Sequence, residues 1–168
     1  MAKYTQADYL ALPEGFPAEL LDGLLVKEPS PTVWHQTIVV EVCLRLRLLL
    51  GPNRVLVSPM DVFVDEFNVL QPDVLVLAER DRTGPHTERI AVPILVVEVL
   101  SPATAERDRG EKADIYLRAG VAEVWLVDPT RETIEVRTTA ASTHHEPDEP
   151  AESRVVRGFR LAFRELTD

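Results

Sequence analysis

The stretch Ile94-Leu95-Val96-Val97-Glu98-Val99-Leu100 sets the tightest limit on what this chain can fold into. A continuous aliphatic run of this kind, closed by Ser101-Pro102, is the pattern of a strand covered on both faces. It also contains one acid. An ionised carboxylate costs several kcal/mol to bury unless it is paired or coordinates a metal. Strand alternation sets Glu98 on one face with Val96 and Leu100. Two readings follow: an acid at the strand's open end paired with an arginine, or a metal ligand.

The rest of the chain supplies elements to cover such a strand. Thr5 to Leu12 predicts a short helix, capped by Thr5 and stopped by Pro13. Glu19 to Val26 predicts a hairpin turning at Asp22-Gly23. After Pro29-Ser30-Pro31-Thr32, apolar residues at Val39, Val42, Leu46 and Leu49 or Leu50 predict a long helix ending at Gly51-Pro52. Strands are expected over Arg54–Ser58, Asp61–Val64 and Val69–Ala78, then a charged loop from Glu79 to Arg89. A second long helix is expected from Thr104 to Ala119, with Thr104 as its cap and Gly120 at its end. Val121–Asp128 and Thr133–Thr138 predict two further strands. Residues 140–152, with two His, two Pro and several acids, predict a flexible acidic loop. Ser153–Leu166 predicts a strand pair bent at Gly158. Together these describe one α/β domain over 1–168, with a mixed central sheet flanked by helices.

Length and composition narrow the classes. A chain of 168 residues with a 45% apolar fraction can build a full core. Its one cysteine, Cys43, forms no internal disulfide, which suits a reducing compartment. No apolar signal segment follows Lys3, and the aliphatic run Val74–Ala78 falls far short of the ~20 residues of a membrane helix. The expected location is the cytoplasm. The net charge of −10 argues against a non-specific nucleic-acid coat protein but leaves room for a locally basic contact face. Of the 18 basic residues only three are lysines, at positions 3, 27 and 112.

Asp73 gives Glu98 a possible companion. Pro72 marks the start or edge of a strand, because it has no N–H to donate. Asp73 alone is ordinary turn chemistry. With Glu98 on an adjacent strand it makes a hard oxygen site that suits Mg²⁺, with Mn²⁺ as a substitute, better than zinc. Asp108, Lys112 and Tyr116 fall on one helix stripe. A surface Asp108–Lys112 pair is the plainer reading of that spacing.

Gln71-Pro72-Asp73, Glu98-Val99-Leu100-Ser101-Pro102, then Asp108, Lys112 and Tyr116, then Gly120 to Pro129, occur in an order that resembles the Uma-two family of bacterial restriction-endonuclease-like proteins. The early Glu19-Leu20-Leu21-Asp22-Gly23 and His35 fit it too, so the resemblance runs from about Thr5 to Leu166. It implies the PD-(D/E)xK nuclease fold and a metal-dependent endonuclease acting on DNA. The rival reading is a nuclease fold kept as a binding or regulatory module. Carried over, Asp73 and Glu98 hold the metal with the Val99 carbonyl between them. Glu19 matches an early acid that assists or holds a second cation, or is a hairpin-end surface acid. His35 is a structural histidine or a ligand.

The sequence departs from the broader nuclease motif in one place. The lysine expected two residues after the second acid is Leu100 here, and the resemblance points to Lys112 on the next helix instead. Neutralising Lys112 is then expected to spare the fold and slow turnover. A homodimer is expected, since two-fold pairs are the commonest soluble oligomers and similar proteins pair. Arg154, Arg157, Arg160 and Arg164 are expected as solvated surface or, less simply, as phosphate contacts. No function is expected of His144-His145.

Overall fold

The computed structural model describes residues 3–27, 29–87 and 89–167. Helix α1, Gln6–Leu10, begins at a reciprocal cap: the Asp8 N–H donates to the Thr5 hydroxyl, and the Thr5 N–H donates to the Asp8 carboxylate. Strands β1 (Ala18–Leu21) and β2 (Leu24–Lys27) form the expected hairpin. Its turn requires positive φ at both central residues, and Asp22 (44°) and Gly23 (82°) supply it. A side chain at Gly23 would also meet Lys3, whose Cβ lies 2.6 Å from where a Cβ would stand.

Helix α2, Val33–Leu50, is capped by Thr32, which accepts the His35 N–H at 3.1 Å, and it stops at Gly51 with φ of 80°. Strands β3 (Val55–Val57), β4 (Val62–Asp65), β5 (Asn68–Leu70) and β6 (Val74–Val76) follow. The single strand expected over Val69–Ala78 is in fact two, and they belong to different sheets. The break falls at Gln71-Pro72-Asp73. Pro72 has no N–H, and the Gln71 N–H leaves the ladder for Glu19 Oε1 at 2.5 Å.

Strand β7, Leu95–Val99, carries the buried acid. The helix expected over 104–119 consists of α3 (Ala105–Arg107), a π turn (Asp108–Lys112) and α4 (Ala113–Arg118). The wider turn re-aims the side chains within it. Thr104 makes no cap bond; its hydroxyl lies 3.0 Å from that of Ser101. Strands β8 (Glu123–Asp128) and β9 (Thr133–Arg137) are as expected.

The segment 140–152, expected as a flexible loop, contains strand β10 (Ser142–His145), antiparallel to β9, and strand β11 (Ala151–Glu152). Its acids and prolines hid a polar edge strand: Ser142 donates to Glu135 across the pair at 2.8 Å. The strand pair expected over 153–166 is also corrected. Only β12 (Arg160–Leu161) forms there, pairing back to β11, and a 3₁₀ turn at Phe163–Leu166 follows.

The main sheet has the order β10-β9-β8-β7-β6-β3, with β7 and β8 parallel and the other pairs antiparallel. A smaller antiparallel sheet, β2-β1-β5-β4, stands beside it. On one face Leu95, Val97, Val99 and Trp125 pack under Ile38, Val39, Val42 and Leu46 of α2. On the other, Leu75, Val96, Leu100 and Leu126 pack with Ala113, Ile115 and Tyr116 and with Leu21 and Leu70 of the small sheet. This is a mixed α/β sheet between helices. Among the described residues, no helix is long and apolar enough to cross a membrane.

Candidate metal and catalytic site

Glu98 is the only acid in β7, and it points to the face that holds Val96, Leu100 and Tyr116. The β6–β7 register pairs Val74 with Val97, so the next step sets Asp73 opposite Glu98 on the same face. The two acids flank a cleft of about 290 Å³, which Trp34, His35, Asp108 and Lys112 also line.

Each acid is held through one oxygen. Asp73 Oδ2 accepts the Val99 N–H at 2.7 Å and lies 3.3 Å from His35 Nε2. Glu98 Oε1 accepts the Tyr116 hydroxyl at 2.8 Å and lies 3.0 Å from Lys112 Nζ. Among the described residues, no protein donor is bonded to Asp73 Oδ1 or Glu98 Oε2.

Lys112 is the centre of the charge network. It is 3% exposed, on the π turn, and its ammonium also lies 2.9 Å from Glu19 Oε1. The plainer reading, a solvated Asp108–Lys112 surface pair, does not describe this buried lysine. Glu19 is fully buried, does not line the cleft, and leaves Oε2 without a hydrogen bond. Its near oxygen serves as counter-ion to Lys112 and as acceptor for Gln71 where the chain crosses between sheets. Asp108 is also buried, with Oδ1 unbonded.

Charge states follow from this crowding. Burial opposes the charged form of Lys112, but Glu19, Glu98 and Asp108 outweigh it and hold the ammonium well above its usual pKa. Burial pushes Glu98 well above the carboxylate range; Lys112 opposes this, while Asp73, Asp108 and Glu19 reinforce it. Burial likewise raises Asp108, against Lys112, Thr104 and Arg107. For His35 burial favours the neutral ring, yet the Asp73 hydrogen bond and charge and a bond to the Val99 backbone prevail, so its pKa is raised. Tyr116 is raised well above the phenol value by burial and by Glu98.

Four carboxylates thus share a largely buried region with Lys112, His35 and, beside Asp108, Arg107. The donors fit Mg²⁺: two carboxylates with one unclaimed oxygen each, beside the Val99 backbone, are all hard oxygens. Among the described residues, no group of three or more His, Cys, Asp or Glu is gathered for a metal. An ion held by these donors would take the rest of its shell from water, as is usual for Mg²⁺.

The sequence-predicted residues Asp73, Glu98, Val99 and Lys112 come together here, with Glu19 behind Lys112. Arg154, Arg157, Arg160 and Arg164 do not line the cleft, and His145 sits in β10. What the sequence left unassigned was the pairing of His35 with Asp73 and of Tyr116 with Glu98. The available signals were weak: His35 falls one turn before Val39 on the core stripe, and Tyr116 one turn after Lys112.

Residues 6–164 match the family model Uma2, described as "Putative restriction endonuclease". No curated protein matches the sequence. Among solved structures, the chain is similar to a crystal structure described as "a putative nuclease belonging to DUF820" from Anabaena variabilis ATCC 29413. The TM-score is 0.82 at 23% identity, covering 96% of both chains.

Proposed function

This chain belongs to the Uma2 family, and from that premise we propose that it is a Mg²⁺-dependent endonuclease hydrolysing DNA phosphodiester bonds in the cytoplasm. The single observation that carries this reading is the cleft in which Asp73 and Glu98 each keep one oxygen free beside the Lys112 ammonium. Asp73, Glu98 and the Val99 carbonyl would hold the ion, with Mn²⁺ as a substitute. When bound, it supplies a Lewis acid for a phosphate oxygen and a lowered pKa for an attacking water.

The chain's own residues do the rest. Tyr116 and Lys112 fix the Glu98 carboxylate through Oε1, and the Val99 N–H and His35 fix Asp73 through Oδ2. Lys112, held charged by Glu19, offsets the negative charge that develops on the phosphorane. Cutting both strands of a duplex takes two such sites, which a homodimer supplies. The test is cleavage of supercoiled plasmid with Mg²⁺ or Mn²⁺, comparing wild type with Glu98→Ala. Nicking by wild type and none by the variant supports the reading. No nicking by either, at any metal tested, rejects it.

One observation favours a second reading. Lys112 is already engaged by two carboxylates, and the cleft lining adds only His35 as a further cation. A binding module of nuclease fold accounts for that arrangement without catalysis. Titration calorimetry separates the two, since a module without chemistry has no need of a divalent ion.

A further inference from the structure

The acids and the lysine lie deep in the cleft rather than at its rim. The side chains of Glu98 and Lys112 are each 4% exposed, and that of Asp73 is 17% exposed. The cleft holds about 290 Å³, the small end of pockets that take one small molecule and far too little for a nucleic-acid helix. Its lining is also short of free positive charge. Among the described residues no arginine lines it, and its cations, His35 and Lys112, are engaged by Asp73, Glu98 and Glu19. A duplex carries a charge every ~1.7 Å along its axis and is held by several lysines and arginines at once. What the cleft offers instead is one aromatic face. Trp34 is 40% exposed and lines the cleft together with Pro29, Pro31 and Pro102. It directly precedes His35, whose Nε2 is 3.3 Å from Asp73 Oδ2, so the indole stands one residue away from the contact with the metal-site acid.

We propose that the cleft takes an unpaired DNA strand, with a phosphate at Asp73 and Glu98 and an adjacent base stacked on the Trp34 indole. This rests on the nuclease reading and narrows its substrate to unpaired nucleotides. The phosphates of a duplex are fixed on the outside of a stiff rod, so reaching acids this deep requires the strand to leave the helix. An unpaired strand bends freely and can turn a phosphate inward while its base swings out. Stacking on an aromatic ring then supplies affinity that does not depend on free cations. Ser30, Gln36 and Thr130 add uncharged groups to the lining, the kind that meet the exposed edges of unpaired bases. The net charge of −10 weighs the same way, since a single strand brings half the charge per unit length that a duplex does.

The test is fluorescence anisotropy with a labelled DNA strand of about 16 nucleotides, the upper end of single-strand site sizes, and with its blunt duplex. Ca²⁺ replaces Mg²⁺, since the same oxygen ligands bind it, and a gel checks that the strand stays intact. The proteins are wild type, Trp34→Ala and Trp34→Phe; Trp34 is exposed, and circular dichroism checks the helix. Wild type should bind the strand at least about tenfold more tightly than the duplex. Trp34→Ala should lose about tenfold or more on the strand, the loss of one stacked base, while Trp34→Phe keeps a ring and stays within a few-fold of wild type. The other tryptophan, Trp125, is fully buried, so quenching of indole emission by the strand should vanish in Trp34→Phe. Equal binding of strand and duplex overturns the proposal and leaves the nuclease reading standing. So does strand binding that Trp34→Ala does not weaken. Binding of neither form overturns the proposal and the nuclease reading together.

Discussion

Lys112 Nζ lies 3.0 Å from Glu98 Oε1, although the lysine comes from a π turn and the acid from the strand before it. The same ammonium is 2.9 Å from Glu19, which makes it the shared cation of two buried acids. Lys112→Met therefore does more than slow catalysis. Removing it leaves Glu19 without its buried counter-ion, a loss of about 3–5 kcal/mol. Urea denaturation should show that loss, and Glu19→Gln added to Lys112→Met should recover about 1–3 kcal/mol as coupling. Additive effects would separate the two residues. In plasmid cleavage, the folded fraction of Lys112→Met should turn over ~10²–10³-fold more slowly.

Glu98→Gln should gain stability as it loses function. Burial raises the folded pKa of Glu98, so its charged form destabilises the protein as pH rises above the ordinary carboxylate value of 4.5. The neutral amide lacks that cost. At pH 8 without metal, the Tm of Glu98→Gln should exceed that of wild type. Millimolar Mg²⁺ should raise wild type alone, by about 2–4 °C for each kcal/mol of linked binding. An equal rise in both proteins would place the ion elsewhere.

Tyr116→Phe removes the hydroxyl that donates to Glu98 at 2.8 Å. The ring stays packed, so the expected loss is about 1–2 kcal/mol, that of one charge-assisted bond. The freed Glu98 carboxylate should also bind Mg²⁺ more weakly by calorimetry, about tenfold, as for other supports of metal ligands. An unchanged metal affinity would confine Tyr116 to packing.

Asp128 gives a pH signature away from the cleft acids. Burial favours its neutral form, but the Arg109 guanidinium at 2.6 Å and the Thr130 and Arg131 N–H groups outweigh it and lower its pKa. A lowered carboxylate pKa stabilises fully above the unfolded value and is lost as pH falls through the folded one. Asp128→Asn should cost about 1–2 kcal/mol at pH 7 and far less at pH 3. Equal costs at the two pH values in urea titrations would remove the ion pair from the account.

The order of strands and helices was legible because periodicity and turn chemistry are local: Thr32, Gly51 and Asp22-Gly23 act where they stand. Glu98 was legible for a related reason, since a lone acid inside an aliphatic strand needs a partner wherever that strand goes. Asp73 was harder. Its run to Ala78 looked like one strand, and only the diversion of the Gln71 N–H to Glu19 splits it between sheets. The π turn was hidden because Asp-Arg-Gly-Glu-Lys reads as an ordinary solvated helix. What buries Lys112 is the arrival of Glu19 from the far end of the chain, and no spacing near Lys112 carries that information. Likewise β10 was masked by polar residues that an edge strand tolerates.

The position of Glu19 has a consequence for how the protein comes into being. During synthesis the hairpin that carries Glu19 emerges first, β7 later, and the π turn last of the three. Until Lys112 arrives, Glu19 and Glu98 lack the cation they share in the folded chain. Lys112 thereby acts as a latch: the last of the three to be made is the one that joins the other two.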